Sequence, residues 1–241
     1  MFKSLLHVLA TGSACLPGAA LAGAVVIWPV DPVITADQTA SALWLENKGQ
    51  DPITLQVRAL RWLQSGGDEV HEQQNDIAVS PPIAVVEPGD RQLVRVVRRG
   101  TVDRSAPQKS FRLLIDELPA PATEDGDAAE PRAQIAVQMR YSLPLFVYGA
   151  SLDAAKPELT SRIEMANGKT YLVIKNNGAG HARLLDLRTA RAGANTMLIP
   201  GLVGYVLGGA SMRWELPLEE PTTGPFIVNL NGHDVTLATS A

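Results

Sequence analysis

Short stretches of alternating apolar and polar residues run along the chain, broken roughly every 8–12 residues by glycine, proline or asparagine, and this spacing predicts strands. Residues 53–63 are the clearest case. Ile53, Leu55, Val57 and Ala59 fall on one face, and Thr54, Gln56 and Arg58 on the other. Residues 42–46, 92–97 and 111–118 read as further strands. Residues 133–139 alternate again, with Ile135, Val137 and Met139 facing one way and Gln134, Gln138 and Arg140 the other. Ser65-Gly66-Gly67-Asp68 and Glu87-Pro88-Gly89-Asp90 are turns. Pro29 and Pro32 interrupt the run that ends at Trp28, which predicts an edge strand or a switch between sheets. Residues 119–131, rich in Pro, Ala, Glu and Asp without periodicity, read as a long loop.

The second half repeats the style. Residues 161–166 and 169–175 flank Asn167-Gly168, a two-residue hairpin signal. Residues 183–189, 204–207, 211–216, 226–230 and 234–237 are short strands between Gly, Pro and Asn clusters. About seven strands in each half suggest two β-sandwiches in tandem, although alternation alone does not separate a sandwich from a barrel. The expected organisation is an all-β chain with one domain at 23–148, a linker at 149–157 and a second domain at 158–241.

Residues 1–22 are not read as fold. Lys3, an apolar stretch and Ala20-Leu21-Ala22 match a secretory signal cleaved before Gly23. The lone cysteine, Cys15, would leave with it, so no intrachain disulfide or cysteine-based zinc site is expected. A net charge of −4 provides no basic field for nucleic acid. No later apolar run is long enough to enter a membrane, so an exported, soluble product is expected.

Parts for catalysis are missing. His71, His181 and His233 are scattered and read as loop or surface residues. Asp116 and Glu117 are strand neighbours pointing to opposite faces, which precludes paired acid and base work. Glu124, Asp125, Asp127 and Glu130 read as a solvated loop. Asn167-Gly168-Lys169-Thr170 lacks the first glycine of a phosphate loop, where Ile163 stands instead. Gly201, Gly204, Gly208 and Gly209 read as turn and strand-end glycines. Neither an enzyme, a metal nor a cofactor is expected.

Several segments together resemble a family. Ser80-Pro81-Pro82-Ile83, Glu87-Pro88-Gly89, 92–96, 111–119 and 135–138 in the first half, with 172–178 and 204–207 in the second, are similar to the periplasmic pilus chaperones of the chaperone–usher pathway, PapD-like proteins. Residues 141–147 and Leu60-Arg61-Trp62 look closest to the archaic, Csu-type branch associated with spore-coat-U-like subunits. The resemblance implies two immunoglobulin-like sandwiches in an L-shaped arrangement. It also implies a periplasmic location, pilus subunits and an outer-membrane usher as partners, and self-association through the donor edge as one possibility.

In that family a strand of the chaperone completes a subunit lacking its own last strand. A donor needs protruding apolar side chains at period two. Ile135, Val137 and Met139 meet this, with Ala133 as a shallow fourth plug; the alternative is that they face this protein's own core. The resemblance further implies basic residues that hold the subunit's terminal carboxylate. Arg112 and Arg140 are the candidates, with Arg95 and Arg98 behind them. Arg95 and Glu117 match two members of an interdomain ion network, and Asn231 or Asp234 is nearest to the third. The competing class is a secreted adhesion or carbohydrate-binding module, which would need exposed aromatic platforms.

Overall fold

The computed structural model describes residues 25–119, 138–149, 151–191, 194–217 and 225–240. Ten strands build the first unit: β1 (Val25–Trp28), β2 (Val33–Ile34), β3 (Ala40–Asn47), β4 (Ile53–Ser65), β5 (Asp68–Glu72), β6 (Ile77–Ser80), β7 (Ile83–Val86), β8 (Arg91–Arg98), β9 (Gln108–Leu118) and β10 (Arg140–Tyr148). One sheet has the order β1-β3-β8-β6. The other runs β2-β10-β9-β4-β5, with β7 also on β4. The prolines act as their positions predicted: β1 belongs to the first sheet and β2, just past Pro32, lies parallel to β10 in the second.

The alternation read in β4 is the core pattern. Leu55 and Val57 meet Leu113, Ile115, Leu143 and Leu145 of their own sheet and Leu43, Leu45, Val94 and Val96 of the facing one, all buried. Each such side chain is worth roughly 1.5–3 kcal/mol on burial.

A short 3₁₀ turn (Leu152–Ala155) leads to the second unit: β11 (Leu159–Ala166), β12 (Lys169–Asn176), β13 (Ala182–Arg191), β14 (Ala194–Val206), β15 (Ser211–Glu215), β16 (Phe226–Leu230), β17 (His233–Leu237) and β18 (Thr239–Ser240). Its sheets are β15-β12-β11-β18 and β14-β13-β16-β17, closed around Leu172, Ile174, Leu184, Leu187, Val206, Phe226 and Val228. Asn167 and Gly168 both take positive φ, as the hairpin signal requires.

Buried asparagines close a turn in each sandwich. Asn176 donates to the carbonyls of Gly180 (2.7 Å) and Val206 (3.0 Å) and accepts from the N–H groups of Glu158 and Gly178. Asn47 donates to Val86 and Asp51 and accepts from Gly49. Gly180 is required where the 3₁₀ turn presses on this loop, because a Cβ there would lie 1.6 Å from the Ala155 carbonyl oxygen.

A third apolar cluster joins the sandwiches. Trp62, Phe146 and Tyr148 come from the first unit, Ala155 from the connecting turn, and Tyr205 and Leu207 from the second.

Candidate functional site

The site is the second sheet of the first sandwich: its β10 edge and its outer face. Register fixes the face. Gln56, Asp116 and Arg140 lie in one row across β4, β9 and β10; Arg58, Leu114 and Ser142 form the next; Leu60, Arg112 and Pro144 form the third. All of these point away from the core, since the intervening positions fill it.

Along its other flank, β10 meets β2 only at Phe146 and Val147. Among the described residues, no strand pairs with that flank over 140–145. Its outward backbone groups are a template for another chain. Met139, just before the strand, is 39% exposed, and its carbonyl accepts from the Glu117 N–H at 3.0 Å. The other donor candidates, Ala133, Ile135 and Val137, lie outside the described residues.

Arg112 and Arg140 share a face but not a site. They are four positions apart along the strands, about 13 Å. Arg112 is at the junction. Its guanidinium carbon sits 3.7 Å from the Trp62 ring centroid and 5.5 Å from that of Tyr205, and Nη2 is 3.1 Å from Glu69 Oε1. With 11% of its side chain exposed, it is enclosed by these partners.

Arg140 lies towards the far end of the sheet. Its Nε donates to Asp116 Oδ1, while Arg58 Nη2 donates to Asp116 Oδ2 at 2.6 Å. Burial alone would raise the Asp116 carboxyl, but the bonds from Arg140 and Arg58 outweigh it and hold the group below the ordinary aspartate range.

The expected ion network is corrected. Arg95 stands exposed between buried Val94 and Val96 on the opposite sheet and points away from the second sandwich. Glu117 is nine residues past Gln108, the end of β9 that touches the second sandwich, hence about 30 Å from the junction. Asp234 is paired with Arg188 at 2.6 Å, and Asn231 accepts from the Arg183 N–H. Arg98 lines a small cavity with Asp76, Asp103, Lys109 and the end of β10 at Val147 and Tyr148.

The sandwiches are instead held by uncharged groups. Gln64 Nε2 donates to the Tyr205 carbonyl (2.9 Å), and its Oε1 accepts from the Leu207 N–H (2.8 Å). Gln108 Oε1 accepts from the His181 N–H (2.8 Å) and lies 3.2 Å from His181 Nδ1, which places the imidazole proton there. His181 is therefore not the surface histidine expected. Burial first, and Arg183 second, pull its pKa down to about 4. Burial likewise pushes the Tyr205 phenol up.

Sequence reasoning missed this junction, yet it left a signal. Trp62 and Phe146 are large aromatics at polar-face positions of β4 and β10, in line with Arg58 and Arg140. An aromatic on a polar face marks a covered patch.

Among the described residues, no cluster of three or more His, Cys, Asp or Glu side chains could hold a metal, and no helix is long and apolar enough to cross a membrane. Two β-sandwiches, the first with the β10 flank unpaired over 140–145 among the described residues, are the frame on which the comparisons with known proteins fall. Residues 24–153 match the family described as pili and flagellar-assembly chaperone, PapD N-terminal domain, and the chain belongs to it.

Among known proteins, the chain is similar to the chaperone protein FimB/FhaD of Bordetella pertussis, 28% identical over 214 residues, covering 84% of this chain and 83% of that one. A solved chain from the CsuC–CsuE chaperone–tip adhesion subunit pre-assembly complex of Acinetobacter baumannii archaic Csu pili superposes with TM-score 0.71 at 26% identity, covering 90% of this chain and 100% of that one. A chain from the Salmonella enterica SafA pilin–SafB chaperone complex shares the fold, with TM-score 0.62 at 15% identity over 91% of this chain and 99% of that one.

Proposed function

We propose that this protein is a periplasmic chaperone that captures pilus subunits by lending them a strand formed by Ala133, Ile135, Val137 and Met139, and passes them to an outer-membrane usher. The observation that carries the reading is the open flank of β10 over 140–145 in a chain of the pilus-chaperone family. A strand continued back from Arg140 would set Met139, Val137 and Ile135 on the parity of Leu143 and Leu145. At Leu143 and Leu145 that parity fills this protein's own core; at Met139 it has already reached solvent. In the sequence Val137 and Ile135 continue this parity, an apolar row suited to another protein's core. Burying three large apolar side chains is worth roughly 5–9 kcal/mol before ordering costs.

Arg140 is the accessible candidate for holding a subunit's terminal carboxylate. Arg112 instead acts as a keystone between the sandwiches, because its guanidinium is taken up by Trp62, Tyr205 and Glu69.

Coexpression with a pilin-like subunit tests the reading. The subunit is expected in the soluble fraction only with this protein, and the Ile135→Asp, Val137→Asp double variant should abolish recovery while staying folded. Equal recovery with the double variant overturns the strand-donor assignment.

A further inference from the structure

We infer that the outer face of the second sheet beside Arg140, centred on Arg58 and Asp116, is a second contact surface for the protein held at the β10 edge, and that Arg58 reads an acidic side chain of that protein while Arg140 is left to its terminal carboxylate. The inference rests on the chaperone reading above and adds a specificity element to it.

The first observation is the charge arrangement. Each oxygen of Asp116 is taken by a different arginine, so both guanidiniums are fixed in place. The Asp116 side chain is 11% exposed, whereas those of Arg58 and Arg140 are 44% and 65% exposed. One bidentate arginine would suffice to neutralise one carboxylate. Here two converge on it, and the remaining N–H groups of both arginines have no other hydrogen-bond partner among the described residues. They border an open groove of about 410 Å³ walled by Gln56, Glu117 and Met139. Planar forks held ready in this way suit a carboxylate, and their prior ordering lowers the cost of binding it.

The second observation is the apolar rim. Ile83 and Val85 of β7 are 49% and 58% exposed. They pair in register with Gln56 and Thr54, so they stand on this same outer face, about 10 Å from the Asp116 column. Arginine beside exposed aliphatic side chains suits an interface with an apolar centre.

The third is continuity. A polypeptide laid along the free flank of β10 passes about 5 Å from the strand that carries Arg140. The occupant is therefore the captured protein itself, presenting an aspartate or glutamate with apolar neighbours.

The probe is a subunit recovered with this protein in the coexpression experiment, so a complex already exists and failure here is separable from failure of strand donation. Affinity is read by competition against wild-type protein. Arg58→Ala is expected to weaken the complex about five- to thirtyfold, Arg58→Lys by an intermediate factor and Ile83→Ser about two- to tenfold. Raising salt from about 50 to about 500 mM should weaken the wild-type complex more than that of Arg58→Ala. Substituting the subunit's acids one at a time by amides should find one whose loss cancels the Arg58→Ala effect. Affinities within about twofold of wild type for Arg58→Lys and Ile83→Ser, both folded by circular dichroism, overturn the surface. If a glycine added after the subunit's last residue, rather than an internal amide, cancels the effect, the carboxylate is the chain terminus and the side-chain assignment is wrong.

Discussion

The imidazole of His181 lies flat on the ring of Phe146, with centroids 3.5 Å apart and planes 4° from parallel. His181 belongs to the second sandwich and Phe146 to the first, so this stack is a joint between them. The imidazole is held neutral, with a pKa pulled down to about 4 by burial and then by Arg183. In the unfolded chain it would titrate near 6.5. The folded state thus binds fewer protons between these values, and stability falls as pH drops from about 6.5 through about 4. The loss is on the order of 3 kcal/mol. Denaturant titrations across that range should show this slope in the wild type and a flatter one in His181→Gln.

Below that window a second loss begins. Asp116 is held below the ordinary aspartate range despite its burial, by Arg140 and Arg58, and Asp103 is pulled down to about 2 by hydrogen bonds from Ser105 and then Lys109. Their contribution is present above the unfolded aspartate pKa and disappears as pH falls beneath it.

Gln64 ties the sandwiches through both ends of its amide. Gln64→Leu leaves the Tyr205 carbonyl and the Leu207 N–H without these partners. Calorimetry is expected to show one transition in the wild type and two in the variant, with total stability lower by about 2 kcal/mol. A single unshifted transition contradicts the role given to this clamp.

Arg112 separates two explanations of a binding defect. As a keystone, Arg112→Ala should broaden the distribution of sandwich orientations seen by small-angle scattering, and lower stability by roughly 2 kcal/mol through loss of the stack on Trp62 and the Glu69 pair. Arg112→Lys should not restore it, since an ammonium does not stack as the planar group does. Unchanged scattering and stability, with weaker subunit capture alone, would return Arg112 to carboxylate binding.

Asn176 makes four hydrogen bonds from a fully buried position. Asn176→Leu strands two carbonyls and two N–H groups, and a loss on the order of 3–4 kcal/mol in chemical denaturation is expected.

Much of the fold was legible because most strands bury one face. The alternation in β4 placed Leu55 and Val57 in the core and Gln56 and Arg58 outside. It failed where both faces are covered. Leu143-Pro144-Leu145-Phe146-Val147 of β10 has no polar face, because the core takes one side and the second sandwich helps to cover the other, so the strand was not foreseen as such. It failed also for β5, whose Asp-Glu-Val-His-Glu run is exposed on nearly every residue. In β14 the register slips opposite Leu184, Leu185, Leu187 and Arg188 hid the first ten residues of the strand. For the site, the family resemblance pointed to Arg112 and Arg140 but not to their depth along the sheet. Depth decided that one would be enclosed by aromatics and the other left in solvent. His181 was misread because a residue just before a strand has no periodicity to show that another domain covers it.

The central claim is that alternate side chains of 133–139 enter a partner while their neighbours do not. With Cys15 replaced by serine, the chain has no other thiol, so single cysteines at Val137 and Gln134 report each face. Their alkylation rates, measured with and without a coexpressed pilin-like subunit, test the claim directly. Strand donation predicts that the subunit slows Val137→Cys by at least about tenfold and leaves Gln134→Cys within about threefold of its free rate. Equal rates for Val137→Cys in the free and bound protein would contradict it.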